Sequence, residues 1–257
     1  MTNQLVLINR DHPGTTILSL NRPEKRNALN IPLLRDLCEA IRETHALPDQ
    51  RALIISGEGN VFSAGLDLKE SLDGAGAEPS ARMIEKLLRS LYESPLVTIA
   101  AVRGAAIAGG AGIVAACDLA VAAEGTSFAF PEVKRGLVAA LVSTLLKRQL
   151  SGKHLRELML LGEPIDADRA YDIGLINAVC EEKELLNKAL RYAEQAKKAA
   201  PSAVLETKRL LENLNPRSLK ESMQIAMQTH KQARTHIEAQ EGIAAFLEGR
   251  EPRWGIE

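Results

Sequence analysis

The sequence predicts an α/β domain, and three observations carry that prediction. Short aliphatic runs closed by glycine or proline, such as Ala52–Ser56 and Val97–Val102, read as buried strands. Between them lie longer stretches whose apolar residues recur at helical spacing, and alternation of strand with helix is the signature of α/β architecture. The third is size: 257 residues, 46% hydrophobic and 25% charged, suffice for one large soluble core or two small ones.

The chain opens on strands. Leu5–Arg10 and Thr15–Leu20 place β-branched and aliphatic residues on either side of Asp11-His12-Pro13-Gly14, a hairpin pattern. Asn30 is positioned to cap a helix with Pro32 in its first turn, and Leu33, Leu34, Leu37 and Ile41 form its apolar stripe. Ala52–Ser56 follows as a strand closed by Gly57 and Gly59. The Gly/Ala/Pro-rich stretch Asp73–Ser80 is expected to form a loop ahead of a helix through Ile84, Leu87, Leu88 and Leu91. Pro95 ends that helix and starts the strand Val97–Val102. From Gly104 the backbone turns on small residues, a helix is expected from near Gly110, and Asp118 leads into a strand at Leu119–Ala123.

Beyond Glu132 the pattern becomes helical: Ala139–Leu150, His154–Leu161, Ala167–Ile173, Glu182–Ala200, Ala203–Leu214 and Ser218–Leu247, interrupted by Leu175–Val179. With no strands of its own, the C-terminal part must fold back on the core or pack against other subunits.

A formal charge of -1 argues against nucleic acid or an anionic membrane as the main partner. The basic pairs Lys134-Arg135, Lys147-Arg148, Lys197-Lys198 and Lys208-Arg209 are scattered and read as solvated helix faces. Cys38, Cys117 and Cys180 lie far apart, without CxxC or Cys/His spacing, so neither a disulfide framework nor a zinc site is expected, and a reducing compartment follows. The five histidines, His12, His45, His154, His230 and His236, form no HExxH pattern and read as surface or helix-face residues; no metal is expected. The N-terminus has no basic region and too short an apolar run for a signal peptide, so a cytoplasmic location is expected. Gly104 to Cys117, the most membrane-like window, is bounded by Arg103 and Asp118 and is shorter than the ~20 apolar residues a spanning helix needs.

Chemistry is concentrated in three places. Phe62-Ser63-Ala64-Gly65-Leu66-Asp67 and Gly104–Gly112 both offer backbone amides among small side chains, where a ligand can approach closely. A helix starting near Gly110 would also turn its free amides and positive dipole end outward, so the two stretches together could hold one oxyanion; alone, each reads as close helix–strand packing. Walker A spacing fails because Gly109-Gly110-Ala111 has no lysine after it, and the glycines do not supply GxGxxG. Glu132 closes the apolar segment Ser127–Pro131, which would desolvate its carboxylate and raise its pKa as a general base on a weak carbon acid requires. Locally, a helix cap or a salt bridge with Lys134 or Arg135 is an equal reading. Nucleophilic chemistry through Ser143, Thr144 or Cys117 ranks last, since no base is visibly paired with any of them.

In order along the chain, Asn21-Arg22-Pro23-Glu24-Lys25-Arg26-Asn27-Ala28-Leu29, Phe62-Ser63-Ala64-Gly65-Leu66-Asp67-Leu68, Ala100-Ala101-Val102 with Gly104, Gly109-Gly110 and Cys117-Asp118, Phe130-Pro131-Glu132 with Gly136-Leu137, Ala170-Gly174-Leu175-Val179 and Glu241-Gly242-Ala245-Phe246 resemble the crotonase family, the enoyl-CoA hydratase/isomerase superfamily. The resemblance implies a crotonase-like spiral of repeated ββα units over residues 1–200, carrying acyl-CoA binding and catalysis. It implies that residues 201–257 form a helical region for oligomerisation and active-site closure, in a homotrimer or a dimer of trimers. The ligand it implies is an acyl-CoA thioester, with no cofactor beyond the coenzyme A that the substrate itself carries.

By motif position the resemblance makes the amides of Leu66 and Gly109 the oxyanion hole and Glu132 the proton-transfer residue. Lys25, Ala28, Ala64, Asp67 and Leu68 line the coenzyme A path, and Gly110, Pro131, Leu137, Phe246 and Arg250 join the substrate-binding set. Hydratases of the family carry two glutamates around the attacking water; the first falls here at Gly112, and Leu137–Leu150 contains no acid to replace it, Ala140 standing where dienoyl-CoA isomerases have aspartate. One carboxylate suits proton shuttling from C2 to C4 of a 3-enoyl-CoA. Enoyl-CoA hydratase and a non-catalytic acyl-CoA-binding protein are the alternatives. The lysine that many members place near the C-terminus is here Gly249, with Arg250 as the substitute.

Overall fold

A six-stranded sheet forms the backbone of this computed structural model, which describes residues 4–67, 77–215 and 217–250. β1 (Val6–His12) and β2 (Thr15–Leu20) make the expected antiparallel hairpin; β3 (Ala52–Gly57), β4 (Val97–Val102), β6 (Leu119–Ala123) and β9 (Ala178–Cys180) then add in parallel. Parallel strands are covered on both faces, which is why these runs are apolar throughout. Leu53 and Ile55 of β3 face the larger core, while Ala52 and Ile54 join Ile99, Val121, Leu185 and Ala189 on the opposite side.

The second layer follows from what comes after each parallel strand. β5 (Ala105–Ile107) pairs in parallel with β7 (Ser127–Ala129), and β7 takes β8 (Ile165–Asp166) antiparallel. Single parallel bridges join Ser63 to Ala106 and Leu29 to Leu66, extending the same ladder toward the N-terminus. Each turn of chain thus lays one strand in the large sheet and one short segment in the small ladder before entering a helix. The four helices are α1 (Ile31–Ala46), α2 (Ala77–Tyr92), α3 (Gly109–Ala116) and α4 (Ala140–Gln149), and the repeat is the expected ββα spiral. Asn30 caps α1 by accepting from the Leu33 amide at 3.0 Å.

After α4 come α5 (Gly152–Leu161), α6 (Ala167–Asp172), α7 (Leu185–Lys197), α8 (Pro201–Asn213), α9 (Leu219–Arg234) and α10 (Ile237–Glu248). Three expectations change here. Ser218–Leu247 is two helices rather than one, broken at Thr235-His236, because α9 packs on α4 and α2 whereas α10 turns onto the 3₁₀ turn Pro131–Arg135. Gly242 permits that turn: a Cβ there would lie 2.4 Å from the Arg135 carbonyl oxygen. The small ladder of β5, β7 and β8 is additional to the single run of strands expected. Arg135, Arg148 and Lys208, read as solvated, are instead drawn inward, Arg148 and Lys208 into ion pairs with Glu212 and Asp118. The expected loop Asp73–Ser80 lies largely outside the described residues. Among the described residues no helix is long and apolar enough to cross a membrane.

Candidate active site

Two backbone amides meet where the small ladder passes under α3. The Leu29–Leu66 bridge uses Leu29 N–H to Gly65 O (2.8 Å) and Asp67 N–H to Leu29 O (3.0 Å), which leaves the Leu66 amide out of the pairing. Gly109 is the first residue of α3, and Gly112 is the first α3 residue whose N–H bonds back to Ala108 O (2.9 Å), so the Gly109 amide lies among the open donors of a helix start. Gly65, at φ +86°, runs so close to this start that a Cβ on it would lie 2.8 Å from Ile107 O. A Cβ on Gly109 would in turn sit 3.8 Å from Leu66 Cγ. Ala108 holds the strained turn at φ 50°, with its amide tied to Ala129 O at 2.8 Å.

Glu132 comes from the next turn of the spiral. The fully buried Phe130 anchors the 3₁₀ turn Pro131–Arg135, and Gly136 ends it in the left-handed conformation at φ 66°. Leu137 N–H then bonds Glu132 O at 3.0 Å and locks the turn. The Glu132 residue as a whole is half-buried, yet its Oε2 is fully enclosed and has no hydrogen-bond partner among the described residues. Burial pushes its pKa up to about 7, with its own backbone amide and the Arg135 charge opposing the shift. The salt-bridge reading of Glu132 does not hold: Lys134 pairs with Glu163 at 2.6 Å, and Arg135 places its guanidinium 4.2 Å from the centre of the Phe246 ring.

A cavity of about 480 Å³ joins these parts. Of the residues singled out in the sequence, Lys25, Ala28, Ala64, Leu66, Asp67, Gly109, Glu132, Leu137 and Phe246 line it. Gly110 does not; its Cα faces Ser63, whose Cβ would be 2.8 Å from an added Cβ, so this glycine lets α3 lie against the ladder. Pro131 backs onto Gly162, and Arg250 sits away from the cavity, held by Glu241 (2.6 and 2.9 Å) and Glu248 (2.6 Å). Leu68 lies outside the described residues. Ser143 and Thr144 donate to Ala139 O and Leu141 O, each at 2.7 Å, and burial pushes the Cys117 thiol far up, so none of the three is an activated nucleophile.

Further residues complete the cavity walls. Arg22 pairs with Asp67 at 2.8 Å and bonds Ala28 O at 3.0 Å, fixing the turn that carries Lys25 and Arg26. Leu137 to Val142 form an apolar wall, with Val142 and Leu88 filling the space in front of Gly112: a Cβ there would meet Val142 Cγ2 at 2.8 Å and Leu88 Cδ2 at 3.5 Å. His230 and Arg234 of α9 complete the lining. Arg22 and Arg26 stood inside a quoted motif; His230 and Arg234 gave no signal beyond a helix-face spacing.

A family model described as enoyl-CoA hydratase/isomerase matches residues 12–256. A candidate enoyl-CoA hydratase of Thermus thermophilus is 36% identical over 255 residues, covering 97% of this chain and 100% of that protein. The human mitochondrial enoyl-CoA hydratase domain-containing protein 3 is 34% identical over 251 residues, covering 96% and 83%. Among solved structures, a carnitinyl-CoA hydratase from Mycobacterium avium superposes with a TM-score of 0.87 at 31% identity, covering 99% of both chains.

Proposed function

The chain belongs to the enoyl-CoA hydratase/isomerase family of acyl-CoA enzymes, and from that premise we propose that it moves a double bond by single-carboxylate proton transfer. In this reading Glu132, ionised, removes a proton from C2 of a 3-enoyl-CoA. The electron pair passes into the thioester carbonyl, giving an enolate whose oxygen takes hydrogen bonds from the Leu66 and Gly109 amides. Two such preorganised donors supply roughly 3–4 kcal/mol each toward the enolate and the transition state leading to it. Glu132, now protonated, returns the proton at C4, and the product is the 2-enoyl-CoA. Lys25 and Arg26 sit at the turn suited to the coenzyme A phosphates, and Ala28 and Ala64 leave room for the pantetheine arm.

One observation carries this reading: Glu132, its Oε2 enclosed and unpartnered, faces a cavity whose other wall, Leu137–Val142, is apolar and fills the space before Gly112. No side chain in that wall offers a hydrogen bond to an attacking water. The names of the relatives favour the second reading, hydration of a 2-enoyl-CoA, in which Glu132 alone would orient the water. Separate incubation with 3-enoyl- and 2-enoyl-CoA decides between them. Migration of the double bond faster than hydration is expected, and rapid formation of 3-hydroxyacyl-CoA would overturn the isomerase reading. Glu132→Gln is expected to keep acyl-CoA affinity within a few-fold while losing about 10²–10⁴ of kcat. Unchanged kcat would remove Glu132 from its role, and wild-type binding without turnover of either substrate would favour a non-catalytic acyl-CoA-binding protein.

A further inference from the structure

Two polar atoms of the turn Pro131–Arg135 are enclosed without a hydrogen-bond partner among the described residues, and their chemistry is opposite: Oε2 of Glu132 accepts, Nε of Arg135 donates. Both residues line the cavity. An enclosed donor left unpartnered is costly, and burial lowers the Arg135 pKa against the raising effect of the Glu132 charge. The turn gives the arginine little freedom to escape, since Gly136 follows it at φ 66° and the Leu137 amide is tied back to Glu132 O.

Helix α10 holds Arg135 at two points one turn apart. Gly242 lies so close that an added Cβ would be 2.4 Å from the Arg135 carbonyl, and Phe246, four residues on and so on the same helix face, has its ring centre 4.2 Å from the guanidinium carbon. Other charges around the turn are engaged elsewhere. Lys134 pairs with Glu163, and on α10 Glu241 and Glu248 hold Arg250. On α5, which also packs on the turn, Glu157 pairs with Arg169, Lys153 and Arg156 are exposed, and His154 is half-buried. The cavity lining adds the Arg22–Asp67 pair, Lys25, Arg26, Arg234 and His230, which burial keeps neutral. Of these charges, that of Arg135 is the one whose field reaches the Glu132 carboxyl.

Building on the reading of Glu132 as the base, we propose that Arg135 is a positioning residue for the proton transfer: its charge, clamped by Phe246 of α10, keeps the neighbouring carboxyl in the form that accepts a proton. A cation stabilises an ionised carboxylate and not a protonated one, so proton removal extends to lower pH. Without it, the burial that raises the Glu132 pKa to about 7 is opposed by no side-chain charge, and the base is protonated over more of the neutral range. Arginine suits the place because it stays charged when half-buried and lies flat against a ring, where lysine does neither as well. The seating of α10 thereby sets the pH range of the reaction.

The test reads the carboxyl itself, so that it does not depend on turnover. Carbon-13 NMR of the full chain labelled at its glutamate carboxyls, with the Glu132 signal identified by its loss in Glu132→Gln, gives the Glu132 titration midpoint. Arg135→Met, neutral and of similar length, is expected to raise that midpoint by at least about 0.5 pH unit, and Arg135→Lys to stay nearer the wild type than the Met variant does. Phe246→Leu is expected to raise it in the wild-type background and to add nothing in Arg135→Met, because it acts through the guanidinium. Lys134→Met, in the same turn but paired with Glu163, is expected to leave it unchanged. In double-bond migration the Arg135→Met shift appears as kcat/KM at pH 6 about threefold or more below wild type, each taken relative to its own value at pH 9. A midpoint that does not move in Arg135→Met overturns the proposal, as does one raised equally by Met and Lys, or a Phe246→Leu shift that persists in full without Arg135. A wild type whose Glu132 titrates as expected but which turns over no enoyl-CoA would instead overturn the proton-transfer reading on which the proposal rests.

Discussion

Glu132 is a carboxyl that folding makes harder to ionise, and this has two opposite consequences. Its pKa stands near 7 rather than 4.5 because burial disfavours the charge more than the local amide and Arg135 favour it. As a base it must be ionised, so kcat/KM is expected to fall about tenfold per pH unit below 7 and to level off above it. Stability runs the other way. Between pH 4.5 and about 7 the folded chain holds a proton that the unfolded chain has released, so this contribution is complete at low pH and is lost as pH rises through about 7. The penalty above pH 7 amounts to roughly 3 kcal/mol at most. Glu132→Gln is therefore expected to unfold at a higher temperature than wild type at pH 8 and at about the same temperature at pH 4. Calorimetry that finds no pH-dependent difference between the two would place the carboxylate in water rather than in the cavity.

At the scale of elements, α3 and α4 decide which chemistry fits beside Glu132. Position 112, which the family resemblance matches to a hydratase glutamate, leaves 2.8 Å between an added Cβ and Val142 Cγ2, and valine cannot swing aside as a longer side chain would. Gly112→Glu alone is expected to overpack this contact, costing about 1–3 kcal/mol, and to gain no hydration. Combining it with Val142→Ala is expected to restore the fold and raise hydration of 2-enoyl-CoA above the wild-type level, read as the rate of 3-hydroxyacyl-CoA formation. The missing acid was legible in the sequence, but the valine that closes its place was not, because Gly112 and Val142 meet only after one further turn of the spiral. The same reason separates what else could be read. The Asn30 cap and the strand Ala52–Gly57 depend on neighbours in sequence and stand where expected. β5, β7 and β8 are two or three residues long, too short to show any period. His230 and Arg234, four residues apart, look like any helix surface until α9 is laid across the cavity mouth.

For the whole molecule, the question is what holds α8, α9 and α10 on the spiral so that the cavity has its far wall. Arg148 on α4 is the centre of the answer: only 9% of its side chain is exposed, and it reaches Glu212 on α8 at 3.4 Å and the Arg217 carbonyl at 2.7 Å. Glu212 also accepts from Tyr92 Oη on α2 at 3.1 Å and from the Leu219 amide, the first of α9, at 2.5 Å. One carboxylate thus ties α2, α4, α8 and the start of α9, and burial together with its charge pushes the Tyr92 phenol up to about 12. Replacing a member of such a network is costly mainly because the buried partner is left unpaired. Glu212→Ala is expected to cost about 3–5 kcal/mol, since the buried Arg148 loses its counter-charge while Tyr92 and the Leu219 amide lose their acceptor. Arg148→Met with Glu212→Leu removes both charges at once and is expected to cost less than the single change, a difference that a double-mutant cycle reads directly. In Glu212→Ala, hydrogen exchange is expected to accelerate first in α9 and α10 while β2, β3 and β4 stay protected, and acyl-CoA affinity to fall although Glu212 touches no part of the cavity. Uniform acceleration across the sheet would show that these helices and the spiral open as one unit, and that the cavity wall has no independent hold.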